Sequence, residues 1–248
     1  NTIVFKLKMK RKIDDEFLEE CSKNFKANPA NVIAKNAINS VGSQFATVNT
    51  SRLNQLNYDF KYTVKSPSTK ATNQHASGRC WMFASLNIFR HLLIKALDME
   101  NFEFSEVYLF FYDKLERANT YLTWFLETEN PDERDVDYIL TAFNEDGGWF
   151  NTFANLADKY GLVPASAMKE TFQSDDSDEM NKIIKERLDY GVNEMKKSRD
   201  DNNRNKVKNE TMKHVYDILV KFLGEPPTKF DFSYKNTDGD VVKLKKKF

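Results

Sequence analysis

The sequence predicts an α+β chain in which helices lead and the sheet has scarcely begun. Two patterns carry that reading. Apolar residues recur at helical spacing through most of the chain. Strict alternation on both sides of a turn appears near its end, with Phe230, Phe232 and Tyr234 before "NTDGD" and Val242 and Leu244 after it, the signature of a hairpin closed on an Asp-Gly turn. The size agrees: 248 residues with 40% hydrophobic and 13% aromatic content supply a core for one large domain or two modest ones.

Taken in order, Ile13, Phe17, Leu18, Cys21 and Phe25 share a helix face behind Asp14 and Asp15, acids that suit a first turn. Cys21 on that stripe reads as a small buried hydrophobe. Asp59 to Val64 is a possible short strand, and "KSPSTKATNQ" after it is loop. From Arg79 to Asp98 the chain is apolar around most of a helix circumference, which predicts a central helix. Ser105 caps the next helix, "EVYLFFYDKLERAN", and Pro131 with following acids starts another in "PDERDVDYILTAF". "NEDGG", Asn144 to Gly148, is a loop, and the helix beyond it stops at Gly161 and Pro164.

The charged segment from "SDDSDEM" to "KVKNE" reads as one or two exposed helices with a flexible centre at "SRDDNNRN", an insertion and not core. A last amphipathic helix through Met212, Val215, Tyr216, Leu219, Phe222 and Leu223 ends at Gly224, Pro226 and Pro227.

Lys plus Arg equals Asp plus Glu at 37 each, so no net field draws the chain to nucleic acid or to an anionic membrane. The basic end "KLKKKF" reads as solvated. Two cysteines make neither a disulfide framework nor a cysteine-rich metal site, which points to a reducing, cytoplasmic setting. No secretory leader pattern is visible, and no run reaches the roughly 18 apolar residues of a membrane span.

"TNQHASGRCWMFA" places the second cysteine, Cys80, where a polar loop becomes an apolar helix. Orphan N–H groups and the macrodipole of a first helical turn favour a thiolate there. Acyl transfer also needs oxyanion donors, which the Cys80 backbone N–H and the side-chain amide of Gln74 on the approaching loop would supply. Gly78 would let the backbone turn tightly before the helix.

"GRCWMFA" is similar to the papain-type signature around the nucleophile. With Gln74 at its spacing, "NQHASGRCWMFA" resembles the bleomycin hydrolases, the cytoplasmic branch of papain-like peptidases. "SEVYLFFYDKLERAN", "EDGGWFNTFANLADKYGLVP" and "LGEPPTKFDFSYKNTDGD" resemble successive segments of that family in the same order. The resemblance implies a papain-like fold, represented mainly by its helical half. It makes Cys80 the nucleophile, Gln74 the oxyanion side chain, and Gly147 and Gly148 the extended backbone that binds substrate, with Trp149 beside them. One departure is visible, since Trp149 and Phe150 stand where the family has Gln then Trp. The implied division is an N-terminal helical extension and approach segment (1–65), the helical half carrying Cys80 (66–172), a charged helical insertion (173–225) and the start of the sheet half (226–248).

A nucleophile of this kind needs a His base oriented by an Asn. His75 neighbours Gln74 only in sequence, and His91 lies about 16 Å along a straight helix from Cys80. His214 falls within the roughly 130–150-residue spacing of papain-type sites, but its surroundings are helical and not the start of a strand. In the family the resemblance names, the His and Asn lie in the later, sheet half. The expectation is therefore a fragment of a longer cysteine aminopeptidase acting on peptides, and the resemblance further implies a homohexamer with no metal or organic cofactor. The alternatives are a chain that pairs with a separately encoded remainder, a non-catalytic scaffold subunit, and an acyl transferase.

Overall fold

The computed structural model describes residues 13–62, 70–128 and 131–244. The chain divides into two units, 1–63 and 64–248. In the first, helix α1 (Asp15–Ala27) starts at Asp14, whose carboxylate accepts the Phe17 N–H at 2.9 Å. Asn28 caps α2 (Pro29–Val41), and Gly42, at φ 81°, ends it. The short helices α3 (Ser43–Ala46) and α4 (Thr50–Leu53) follow. None of these helices buries a residue, so Cys21 is exposed and not the core side chain that its stripe predicts. Periodicity marks a face that favours burial; it does not supply a cover. The expected strand is not formed at Asp59–Tyr62, and Thr63, Val64 and the loop residues up to Thr69 lie outside the described residues.

The second unit is built around one helix. In chain order it comprises α5 (Cys80–Leu97), α6 (Glu106–Glu127), α7 (Glu133–Asn144), α8 (Phe150–Tyr160), α9 (Phe172–Asp175), α10 (Asp178–Lys196) and α11 (Asp201–Leu223). The hairpin β1 (Phe232–Lys235) and β2 (Val241–Leu244) completes it. α6 packs against α5, α7, α8, α10 and α11, and Val107, Leu109, Phe110, Phe111, Tyr121 and Leu122 are its fully buried spine. Ser105 caps it as predicted, accepting the Tyr108 N–H. α5 is not the central helix: it buries Trp81, Met82, Phe83, Leu86 and Ile94 on one face, while Ile88 and Leu92 are each 60% exposed on the other.

The charged segment forms α10 and the first half of α11, which are not exposed rods, and α11 runs on unbroken into the last amphipathic helix, so that helix is not a separate element. α10 and α11 pack side by side and bury Met180, Ile184, Leu188, Val192, Met195, Val215 and Leu219 in the common core. High charge density on the outer faces concealed an apolar seam at helical spacing. Gly191 sets their closest approach, since a Cβ there would lie 2.5 Å from Thr211 Oγ1. The flexible centre expected at "SRDDNNRN" shrinks to residues 198–200: "DNNRN" is already the start of α11, which the Asp200 carboxylate caps by accepting from the Asn202 and Asn203 N–H groups.

The hairpin is antiparallel, with Phe232 opposite Leu244 and Lys235 opposite Val241, and Gly239 takes φ 89° in its turn. Two of the basic end residues, Lys243 and Leu244, therefore belong to a strand; 245–248 lie outside the described residues. The hairpin is tied to the end of α5, where Glu100 N–H donates to Lys235 O at 2.8 Å and Thr237 N–H to Asp98 O at 3.1 Å. Among the described residues no helix is long and apolar enough to cross a membrane.

Glu106 is buried in the first turn of α6. Burial, reinforced by Glu170 and Glu103 and opposed by its backbone N–H and Arg79, pushes its carboxyl up to about 8. Between pH 4.5 and 8 the folded chain then holds a proton that the unfolded chain has lost. That contribution to stability is full below pH 4.5 and disappears as pH rises through about 8. Denaturant titrations from pH 5 to 8 should show wild-type stability falling by at most about 1.4 kcal/mol per pH unit from this group. Glu106→Gln should flatten the slope; an unchanged slope would assign the loss to another group.

Candidate active site

α5 begins on the thiol itself. Arg79 occupies the N-cap, its carbonyl accepting from Met82 and Phe83 N–H at 2.9 and 3.0 Å, and Cys80 is the first helical residue. Cys80 is unpaired and exposed. It opens on a cleft of about 780 Å³ whose walls include Gly147, Gly148, Trp149 and Arg117, and which runs between α6 and α8 as far as Glu116 and Lys159. Four residues predicted from sequence therefore meet in one cavity: Cys80, Gly147, Gly148 and Trp149. Trp149 is 81% exposed at its rim.

Gln74 does not line that cavity. Its Nε2 donates to Ser77 O at 2.6 Å, and the Ser77 hydroxyl returns a bond to Gln74 O, also at 2.6 Å. Both bonds lie within the approach loop, where His75 sits at φ 50° with its ring 3.8 Å from the Asp175 carboxylate. His214 lies on α11, its ring within hydrogen-bonding distance of Glu210 O and Arg187. No histidine lines the cleft among the described residues.

The position of Gly78 has a different cause from the one its sequence context suggests. Its φ is not positive, but a Cβ there would lie 2.8 Å from Asp146 Cβ. Only glycine lets the approach loop pass this close to the loop carrying the Gly pair. Gly148 is constrained likewise: a Cβ would fall 2.5 Å from the Trp81 ring. Trp81, directly after Cys80, is thus the floor on which the glycine backbone lies, and its Nε1 donates to Asp146 O at 2.8 Å.

Asp146 and Arg79 are the residues that sequence reasoning missed. The Asp146 carboxylate is buried and faces Lys114 Nζ at 2.6 Å. It also accepts from Gly78 N–H at 3.2 Å, Asn181 Nδ2 at 2.8 Å and the Ser177 hydroxyl. Burial raises the affinity of this carboxyl for a proton, but the Lys114 ammonium and the bonds from Lys114, Ser177 and Asn181 prevail and hold it at about 2. One ionised side chain thereby joins the Cys80 approach, the Gly loop, α6 and α10. Arg79 is fully buried: its Nε donates to Ser77 Oγ, Nη1 to Glu170 at 2.8 Å and Nη2 to Ser174 O at 2.7 Å, between the rings of Phe83 and Phe110. The available signal was the presence of charges inside apolar runs, Arg79 before "CWMF" and Lys114 after "LFFYD". A charge in such a place is buried only with partners. Among the described residues no group of three His, Cys, Asp or Glu side chains is placed to hold a metal ion.

The sequence profile of the Peptidase C1-like family matches residues 12–247. Aminopeptidase C of Listeria monocytogenes is 38% identical over 235 residues, covering 94% of this chain and 53% of that protein. Mitochondrial cysteine proteinase 1 of Saccharomyces cerevisiae is 30% identical over 251 residues, covering 96% of this chain and 52% of that protein. The crystal structure of PepW from Lactobacillus rhamnosis superposes with a TM-score of 0.78 at 32% identity, over 95% of this chain and 54% of that one. The chain thus spans about half the length of the curated relatives it matches. By its papain-like helical half, by the matched profile and by these relatives, the chain belongs to the Peptidase C1-like family, within the bleomycin hydrolase group of cysteine peptidases.

Proposed function

We propose that this chain supplies the nucleophile half of a cysteine aminopeptidase acting on peptides. The observation that carries the reading is the exposed Cys80 thiol at the start of α5, sharing one cleft with the Gly147–Gly148 backbone. The Cys80 thiolate attacks the scissile carbonyl and forms an acyl-enzyme that water then hydrolyses. The Cys80 N–H and the Gln74 amide hold the oxyanion. A primary amide has two N–H donors, so the bond to Ser77 O leaves Gln74 one for this role. Gly147 and Gly148 pair with the substrate backbone, and Trp149 borders the side-chain pocket. The relatives named above are called aminopeptidases or a cysteine proteinase, which supports this reaction class.

The base and its orienting Asn would come from the half of the relatives' length that this chain does not match, either in a longer polypeptide or on a paired chain. The complete assembly would be a cytoplasmic homohexamer needing no metal or organic cofactor.

The test uses the native protein from its source, with intact mass measured first and hydrolysis of aminoacyl-naphthylamides second. Cys80→Ala should lower kcat by on the order of 10⁴-fold or more. Hydrolysis that survives the substitution would remove Cys80 from the mechanism. Since Cys21 is exposed too, exposure alone does not distinguish the two thiols, and iodoacetamide should label Cys80 first. A second reading, a non-catalytic subunit, is favoured by the lining of the Cys80 cleft, which includes no histidine among the described residues. Equal labelling of both thiols together with no hydrolysis would select it. Capture of the acyl group by added amines in preference to water would indicate a transferase.

A further inference from the structure

Four consecutive carbonyls lead into the glycine pair, and each accepts from a side chain rooted in α5 or α6. Lys114 Nζ donates to Asn144 O at 2.8 Å and to Glu145 O at 3.2 Å. Trp81 Nε1 takes Asp146 O, and Arg117 Nη2 donates to Gly147 O at 2.6 Å. The Arg117 guanidinium has its own orientation set from behind, with Nε 2.9 and 2.8 Å from the two oxygens of the buried Asp113 carboxylate one turn earlier on α6. The peptide group joining Gly147 to Gly148 is trans, so its C=O and N–H point in opposite directions. Fixing the Gly147 oxygen toward Arg117 therefore fixes the Gly148 N–H away from it. Among the described residues no protein acceptor takes that N–H.

We propose that Arg117 is a positioning residue which, through the Gly147 carbonyl, aims the Gly148 N–H into the Cys80 cleft as the donor for an extended peptide backbone. The inference rests on the reading of Gly147–Gly148 as the substrate-binding strand. Glycines on their own would leave this peptide plane free to rotate, and Trp81 restrains it only by contact. The guanidinium fork supplies the missing directional restraint, because one arm is committed to Asp113 while the other reaches the loop.

The experiment compares two chloromethyl ketones on the native protein: chloroacetone, and Ala-Phe chloromethyl ketone, whose α-amine is free as an aminopeptidase substrate's is. In both, the thiolate forms a C–S bond as chloride leaves, and the thiol proton passes to solvent. Only the second presents a peptide backbone to the Gly pair. The readout is the ratio of second-order rate constants at Cys80, with Cys21 as the internal reference. Arg117→Gln should lower the ratio about tenfold, the loss expected when one positioning contact is released. The chloroacetone rate should shift less than about twofold, since the thiol itself is not touched. Arg117→Lys keeps a donor without the fork and should recover part of the ratio. A wild-type ratio no higher at Cys80 than at Cys21 would remove the substrate-strand reading and this inference with it. A high wild-type ratio that Arg117→Gln leaves unchanged would overturn the inference alone. Equal slowing with both reagents would also overturn it, by showing that Arg117 supports the fold and not the peptide plane.

Discussion

Asp146→Ala should destabilise the folded chain by about 3–5 kcal/mol, the cost of breaking a buried ion pair by removing one partner. Lys114 Nζ, whose side chain is 1% exposed, would be left facing an alanine with only two carbonyls as acceptors. Gly78 N–H, the Ser177 hydroxyl and Asn181 Nδ2 would each lose an acceptor in the same interior. Thermal unfolding should show the loss as a fall in Tm of roughly 2–4 °C per kcal/mol at this chain length. The double variant Asp146→Ala/Lys114→Met should be more stable than Asp146→Ala alone, because it removes the orphaned ammonium. If the two unfold together, the cost lies in the lost hydrogen bonds and not in the charge. The wild-type pH dependence has a definite sign. With its carboxyl held at about 2, below the usual carboxylate value of 3.8, Asp146 contributes stability above pH 3.8 that is lost as pH falls through about 2.

Arg79→Met is the second large effect, expected at about 2–4 kcal/mol, below the roughly 3–5 usual for a broken buried pair. The reduction follows from the partner: the Glu170 side chain is 32% exposed and can recover water, whereas Asp146 and Lys114 cannot. Met fills the stem volume, so what is lost is the bonds to Ser77, Glu170 and Ser174 O and the stacking on Phe83 and Phe110. Because Arg79 is the N-cap residue of α5, the same change should loosen the first turn that holds Cys80. Arg79→Lys should not rescue it, since a single ammonium cannot reach three acceptors set in a plane. Denaturant unfolding of the two variants checks both statements, and a Lys variant as stable as wild type would show that charge alone suffices.

Both effects arise at residues that sequence reading passed over, and the reason is physical. Cys80 and the hairpin turn are legible because local chemistry needs them, a thiol at a helix start and a turn at positive φ, whereas the Gly pair is legible only through the family resemblance, its one steric constraint being the distant Trp81 ring. Asp146 and Arg79 act through partners distant in sequence, such as Asn181 and Ser174, and no local pattern announces such pairings. The same limit explains α5. Its run from Trp81 to Leu97 correctly predicted a helix, but an apolar circumference shows only which surface favours burial. Which helix becomes central depends on neighbours, and α6 gathers five of them. It also explains α10 and α11, whose many charges all lie outside a seam that becomes visible only once the two helices are paired.

By itself the sequence determined where α1, α5 to α8, α10, α11 and the hairpin form, though not α2 to α4 or α9, and that one thiol stands at a helix start behind a Gly-Arg pair. Those are matters of local propensity, periodicity and capping, which act over a few residues. Tertiary structure alone decided that Cys80, Gly147, Gly148 and Trp149 share a cleft while the Gln74 amide is held by Ser77. It also decided that a buried Asp146–Lys114 pair ties the approach loop to the cleft wall. Distances between residues far apart in the chain follow from how faces pack, and packing is settled by all the elements together.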